Sequence, residues 1–340
     1  MSPPPTSVPS PNIPHFLPNR LCLHNRIPSL LQYTAFFRAR PGRPPFPTHL
    51  FAKSQHGHRP PTTTTTTTTT TQEDGIPADD VKFLVKFKSR YNYIRVLEVS
   101  RRADHPFAGS RLLLLDNPGN IHSISFLLKS FTGTYFDVFA TLPPILPPGP
   151  IAVLGFGAGS AAKLLLELYP WVVVHGWELD PFVIDVAREY FGLSKVEQLY
   201  KDRIFVYVGD ALRATVRDGF AGIVVDLFSR GVVIPELQDP DTWRKLKRWL
   251  REGGRVMVNV GGSCVEAEDK TRDGRLIMED TLKAMREVFG EKLFVLTLGN
   301  RKEDSSLAFT GDMPDAVEWK KNLPKTLKGY VDMWAPCSFT

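Results

Sequence analysis

From residue 151 to residue 310, short apolar runs alternate with amphipathic stretches, and no other feature of the chain restricts its fold so much. Ile151–Leu154 reads as a buried strand, 161–168 as a helix and 172–177 as a second strand. Pro181–Tyr190 follows as a helix with proline in its first turn, where the missing N–H is harmless. Strands are expected at 203–208, 223–225 and 255–260, and helices at 240–251 and 275–289. Gly253-Gly254 is expected to close the helix of 240–251. Short strands at 293–298 and 307–310 end the run. Strands joined by helical crossovers run parallel, so this stretch predicts an α/β domain with a mostly parallel, doubly wound sheet. The last two strands are joined by a loop, which predicts one antiparallel edge strand.

A smaller unit stands in front, over about 80–142. Segments 81–87 and 93–101 alternate apolar with polar residues and read as strands, and 111–115 is a third. Asn117-Pro118-Gly119-Asn120 is a turn, and Ile121–Phe126 returns as a fourth strand. This predicts a small β-hairpin domain. A short apolar stretch at 135–142 and a proline-rich linker at 143–150 lead into the main domain of 150–335.

The formal charge of +6 is misleading. Residues 1–72 hold no Asp or Glu but carry Arg20, Arg26, Arg38, Arg40, Arg43, Lys53 and Arg59. Without those seven, 35 of the 42 basic residues face all 36 acidic ones, a charge of −1. A nucleic-acid partner is therefore not indicated. Residues 1–75 are rich in Pro, Ser, Thr and Arg and reach ten consecutive threonines, Thr62 to Thr71. Such a stretch buries too little apolar surface to offset its ordering entropy. Its composition is that of an organelle transit peptide followed by a linker. The chloroplast is the first expectation and the mitochondrion the second. No apolar run reaches the roughly 18–20 residues of a membrane span, so no membrane partner is expected. Cys22, Cys264 and Cys337 show no metal-ligand spacing, and only His105, His122 and His175 lie outside the leader. No metal is expected.

Four positions carry chemistry. Gly155-Phe156-Gly157-Ala158-Gly159 follows the first buried strand and precedes a helix. Glycines let backbone approach a ligand, and the helix N-terminus favours an anionic or polar group. Glu178 ends the second strand, where a carboxylate can accept from two ribose hydroxyls. Asp210 ends the third, after Gly209, and can accept from an adenine amino group. Asp226 ends the fourth. Ligands of open α/β sheets sit outside the carboxyl ends of the strands, where all four positions fall. Gly155, Gly157, Gly159, Glu178 and Asp210 are thus cofactor-binding candidates, and Asp226 the catalytic candidate.

These residues resemble the spermidine synthase family, a polyamine aminopropyltransferase branch of the S-adenosylmethionine-dependent methyltransferase superfamily. The resemblance spans roughly 93–310. Residues 151–159 are similar to the family's glycine loop, Trp177-Glu178-Leu179-Asp180 to its Glu-Ile-Asp motif and Gly209-Asp210 to its Gly-Asp pair. The segment from Arg111 to Asp116 resembles its hairpin strand ending in Leu-Asp, and Tyr135-Phe136-Asp137 its Tyr-His-Glu segment. The resemblance implies a class I methyltransferase Rossmann-like fold. The implied co-substrate is S-adenosylmethionine or decarboxylated S-adenosylmethionine, with a small-molecule acceptor such as an amine and a homodimer as the candidate assembly. It also implies that Asp226 helps deprotonate the attacking amine.

Two departures bear on chemistry. Ala158 stands where the family has an Asp that holds the donor's terminal amine, which favours the undecarboxylated donor. Asp226-Leu227-Phe228-Ser229-Arg230 replaces Asp-Ser-Ser-Asp, so the acid that binds the polyamine cation is absent. An inward Arg230 would oppose a second cation by roughly 4 kcal/mol at 4 Å and an effective dielectric near 20. The readings left open are an aminopropyl-type transferase, a methyltransferase on a non-polyamine acceptor, a non-catalytic cofactor-binding homologue and an NAD(P) oxidoreductase.

Overall fold

The structure, a computed structural model, describes residues 76–214, 217–262, 266–298 and 305–338. The transit-peptide and linker expectation for 1–75 lies outside the described residues, as do Cys22 and Cys264. No helix among the described residues is long and apolar enough to cross a membrane, and no His/Cys/Asp/Glu group among them could hold a metal.

The first unit is a four-stranded antiparallel meander of β1 (Val81–Lys88), β2 (Tyr93–Val99), β3 (Ser110–Leu114) and β4 (Ile121–Phe126). Asp116 builds its last turn. One carboxylate oxygen accepts from the N–H of Gly119 and of Asn120, and the other from the Asn120 amide. The apolar stretch expected before the linker contains a helix, α1 (Tyr135–Phe139). Asp137 holds the turn before it by accepting from the N–H and hydroxyl of Thr132 and the N–H of Gly133.

The second unit runs β5 (Ile151–Leu154), α2 (Ser160–Leu168), β6 (Val174–Glu178), α3 (Pro181–Tyr190), α4 (Leu193–Leu199), β7 (Ile204–Val208) and β8 (Phe220–Val225). A two-residue hairpin follows, β9 (Phe228–Ser229) and β10 (Val232–Val233), then α5 (Pro240–Arg248), β11 (Leu250–Gly261) and α6 (Gly274–Phe289). It ends with β12 (Leu293–Thr297), β13 (Ser306–Thr310), α7 (Ala316–Lys321), α8 (Lys328–Val331) and β14 (Ala335–Pro336). The eight-stranded order is β14-β12-β13-β11-β8-β5-β6-β7. Five central strands, β11 to β7 in that order, are parallel neighbours, as the alternation requires.

Helices cap themselves as the sequence directs. Asp180 accepts from the Phe182 N–H ahead of Pro181, and Asp239 from the Asp241 N–H ahead of Pro240. Strand alternation then sorts the core. Ala152, Leu154, Ile223, Val225, Val256 and Val258 pack with Trp243 and Leu246 of α5 and Ile277 and Met285 of α6. Helices α2 and α3 pack on β6, and α4 on β7.

One expectation gains detail and one is corrected. The sheet ends in an antiparallel edge strand, the two-residue β14 beside β12, and β13 is a second antiparallel strand between β11 and β12. Gly253-Gly254 does not close a helix. α5 stops at Arg248, because Leu250 already pairs with Phe220 of β8, and both glycines lie inside β11. The register shifts between Leu250 and Arg255. A Cβ on Gly254 would come within 3.0 Å of the Ala221 carbonyl oxygen. The glycines let a bulged strand pass close to its neighbour.

Between β7 and β8 the described chain forms only a short 3₁₀ turn, Ala211–Arg213. His175, Trp177, Phe205 and Tyr207 stack on one face of β6 and β7. Phe205 and Tyr207 are exposed.

Candidate active site

A cavity of about 930 Å³ opens at the carboxyl ends of β5, β6, β7 and β8. Gly155, Gly157, Glu178, Asp210 and Asp226 line it. Gly159 does not. It is the N-terminal cap of α2 at φ 84° and lines a separate small cavity with Ala158 and Ser160.

The glycines are required first by the chain itself. A Cβ on Gly155 would meet the Asp226 carbonyl oxygen at 2.1 Å, and one on Gly157 the Ser123 hydroxyl at 2.7 Å. Both residues have positive φ, which a side chain would strain. The loop therefore lies directly against β8 on one side and β4 on the other. The Asp226 N–H donates to the Leu154 carbonyl at 2.8 Å, which fixes β8 to β5 at this point.

Glu178 is buried, and its two carboxylate oxygens accept from the N–H groups of Gly157 (2.9 Å) and Asp180 (3.0 Å). Burial raises its pKa, and those two N–H groups pull it back part of the way. Asp210 is exposed. It caps the 3₁₀ turn through the Leu212 N–H and pairs with Arg213 at 3.2 Å. A carboxylate oxygen in such an arrangement retains lone pairs for a ligand donor.

Asp226 is held differently. Its carboxylate accepts from the Tyr135 hydroxyl of α1 at 2.9 Å and from the Asn259 amide of β11 at 3.0 Å. Asn259 is itself fixed, because its carbonyl oxygen accepts from the Gly261 N–H. Burial pushes the Asp226 pKa up to about 7, against the two hydrogen bonds, and the Glu178 charge adds to the rise. A carboxylate poised there can exchange protons at neutral pH.

Sequence reasoning missed Asn259, which sits within a strand, and His122, which lines the cavity with its ring nitrogen 3.7 Å from Asp116. Tyr135 was placed in a family-like segment but without its bond to Asp226. Trp177 also lines the cavity, stacked on Tyr207 at 4.9 Å between centroids.

Two expectations lose their geometry. Ala158 is buried with its N–H donating to Ser123 and does not line the main cavity, so its link to donor choice has no contact behind it. Arg230 is exposed at the β9–β10 turn with φ 52°, while Ser229 lines the cavity. No Arg230 cation stands against a ligand.

No family model matches the chain. It is 26% identical over 229 residues to a protein of Bifidobacterium longum (strain NCC 2705) named "Probable polyamine aminopropyl transferase", covering 65% of this chain. The chain spans about half (48%) of that relative's length. In fold it is similar to a probable spermidine synthase from Corynebacterium glutamicum (TM-score 0.52, 17% identity, 70% of this chain, 86% of that one). It is also similar to a spermidine synthase solved with the transition state analogue AdoDATO (TM-score 0.50, 14% identity, 67% of this chain, 71% of that one). The chain is thus similar in sequence to a polyamine aminopropyl transferase and in fold to spermidine synthases. These likenesses support the doubly wound α/β sheet preceded by a small antiparallel β unit.

Proposed function

We propose that the protein is a transferase that binds S-adenosylmethionine or its decarboxylated form and passes an alkyl group, aminopropyl or methyl, to a small amine. The observation that carries this reading is Asp226, held by Tyr135 and Asn259 in the same cavity as Gly155, Glu178 and Asp210. The relative's name and the AdoDATO-bound synthase of similar fold agree with it.

The cavity suits a sulfonium nucleoside. Gly155 and Gly157 present backbone with no Cβ, the Glu178 carboxylate faces ribose hydroxyls and Asp210 faces the adenine amino group. When bound, the sulfonium supplies an electrophilic carbon. The chain's own work is to place the acceptor nitrogen against that carbon and take its proton on the Asp226 carboxylate. Holding both reactants in line supplies much of the rate in reactions of this kind.

Calorimetry of the protein from residue 76 onward with both donors and NAD tests this. We expect binding of at least one sulfonium donor, with Glu178→Ala weakening it by more than about tenfold, or about 1.4 kcal/mol. Binding of NAD alone, or unchanged affinity in Glu178→Ala, would refute the assignment. The donor that binds more tightly separates aminopropyl from methyl transfer.

We also propose that residues 1–75 direct the protein to the chloroplast, on the strength of their acid-free, Pro/Thr-rich composition. A fluorescent fusion of those residues should enter plastids, and entry into mitochondria or retention in the cytosol would reject this.

A further inference from the structure

Each oxygen of the Glu178 carboxylate accepts from a backbone N–H, Gly157 for one and Asp180 for the other. Both N–H groups belong to turns of the main domain, and the meander backs each turn.

Behind Gly157 stands β4. The Ser123 hydroxyl accepts from the N–H of the next loop residue, Ala158, at 2.9 Å and donates to the His122 carbonyl at 2.6 Å. The Ser160 hydroxyl, at the start of α2, donates to the Ile124 carbonyl at 2.9 Å and accepts from the Ile124 N–H at 3.0 Å. Three bonds thus tie two consecutive residues of β4 to the glycine loop and its helix. Glycines leave a loop wide conformational freedom, and such ties hold it to one conformation.

Behind Asp180 stands the turn between β1 and β2. One Asp180 carboxylate oxygen caps α3 through the Phe182 N–H. The other accepts from the Ser89 hydroxyl and from the Asn92 amide, the latter at 2.8 Å. Ser89 is fixed in turn, because its hydroxyl oxygen accepts from the Asn92 N–H at 2.9 Å. Asp180 is buried, so these bonds replace water that its carboxylate has lost.

We infer that the meander is a working part of the donor site, with Ser123 and Ser89 as positioning residues that aim the Gly157 and Asp180 N–H groups at Glu178. The inference rests on the reading above in which Glu178 grips the donor ribose. Neither serine lines the cavity, so each acts through Glu178 and not on the ligand. Hydrogen bonds weaken steeply as the donor turns away from its acceptor. Without either serine one N–H is free to swing, and the carboxylate loses the orientation that meets two hydroxyls at once.

A double-mutant cycle tests this on the full chain. The probe is 5′-methylthioadenosine, which carries ribose and adenine without a reactive sulfonium, and its affinity is read by calorimetry. Ser123→Ala and Ser89→Ala should each weaken binding by about fivefold, as expected for one lost hydrogen bond. In a Glu178→Ala background the same changes should cost less than about twofold, because the residue they act through is gone. Ser110→Ala is the reference. Its hydroxyl is buried in β3 with no partner among the described residues, and removing it should leave affinity within about twofold. Ser89 lies on a half-buried turn, so its variant decides the matter if Ser123→Ala does not fold. A serine variant that binds within about twofold of wild type, or a larger loss that persists without Glu178, would overturn the inference. If wild type does not bind the probe, or Glu178→Ala binds it as wild type does, the donor-site reading falls as well.

Discussion

The two sides of the cavity are built by different means. On the nucleoside side, Glu178 and Asp210 are held by backbone N–H groups of their own neighbourhood, Asp180 and Gly157 for one and Leu212 for the other. On the acceptor side, Asp226 is held by side chains 91 residues before it and 33 residues after it. The first side is local backbone geometry, backed from outside by the meander. The second is an assembly of three elements and fails if any one moves. The join between them is Gly155, whose missing side chain lets the loop lie on the Asp226 carbonyl.

Breaking that join should have the largest effect. Gly155→Ala combines overpacking with a positive-φ penalty, and the sum is about 3 kcal/mol of stability. Chemical denaturation would measure it, and wild-type stability would mean the loop can move away from β8. Next in size is a change confined to the acceptor side. Tyr135→Phe removes a hydrogen bond that favours the ionised form of Asp226, so the pKa of about 7 should rise further and the rising limb of the pH–rate profile shift to higher pH. Donor affinity should change by less than about twofold, well under 1.4 kcal/mol. An unshifted profile would show that Asp226 does not titrate in the rate-limiting step.

The same residue links pH to stability. Its folded pKa lies above the unfolded value of about 3.9, so between about pH 4 and pH 7 the native state binds more protons than the unfolded chain. This contribution makes stability fall as pH rises through that window, and Asp226→Asn should flatten it. Denaturant titrations of both proteins at about pH 5 and about pH 7.5 would show it. The smallest effect belongs to Arg230. Arg230→Gly relieves its positive φ and should stabilise by at most about 1 kcal/mol with donor affinity unchanged. A changed affinity would mean that the side chain reaches the cavity after all.

This contrast also explains what could be read from the sequence. Gly155, Glu178 and Asp210 were legible because a strand end, its turn and the next cap are contiguous, and the acid then falls where the topology demands. The parallel order of the central strands followed from crossover length. Asn259 was not legible, since a polar residue inside an apolar strand carries no mark of its partner. The insertion of β13 between β11 and β12 was equally hidden, because a loop between two short strands does not say which neighbour each will take. Gly253-Gly254 misled because a glycine pair after a helix pattern fits a cap as well as a bulge.

Trp177 gives the nucleoside side an optical property. Its indole lines the cavity and stacks on Tyr207, beside the acid proposed to grip ribose. The other tryptophans of the chain are absent from that lining. Emission from this one ring should therefore respond to occupancy, which makes the unlabelled protein its own titration dye.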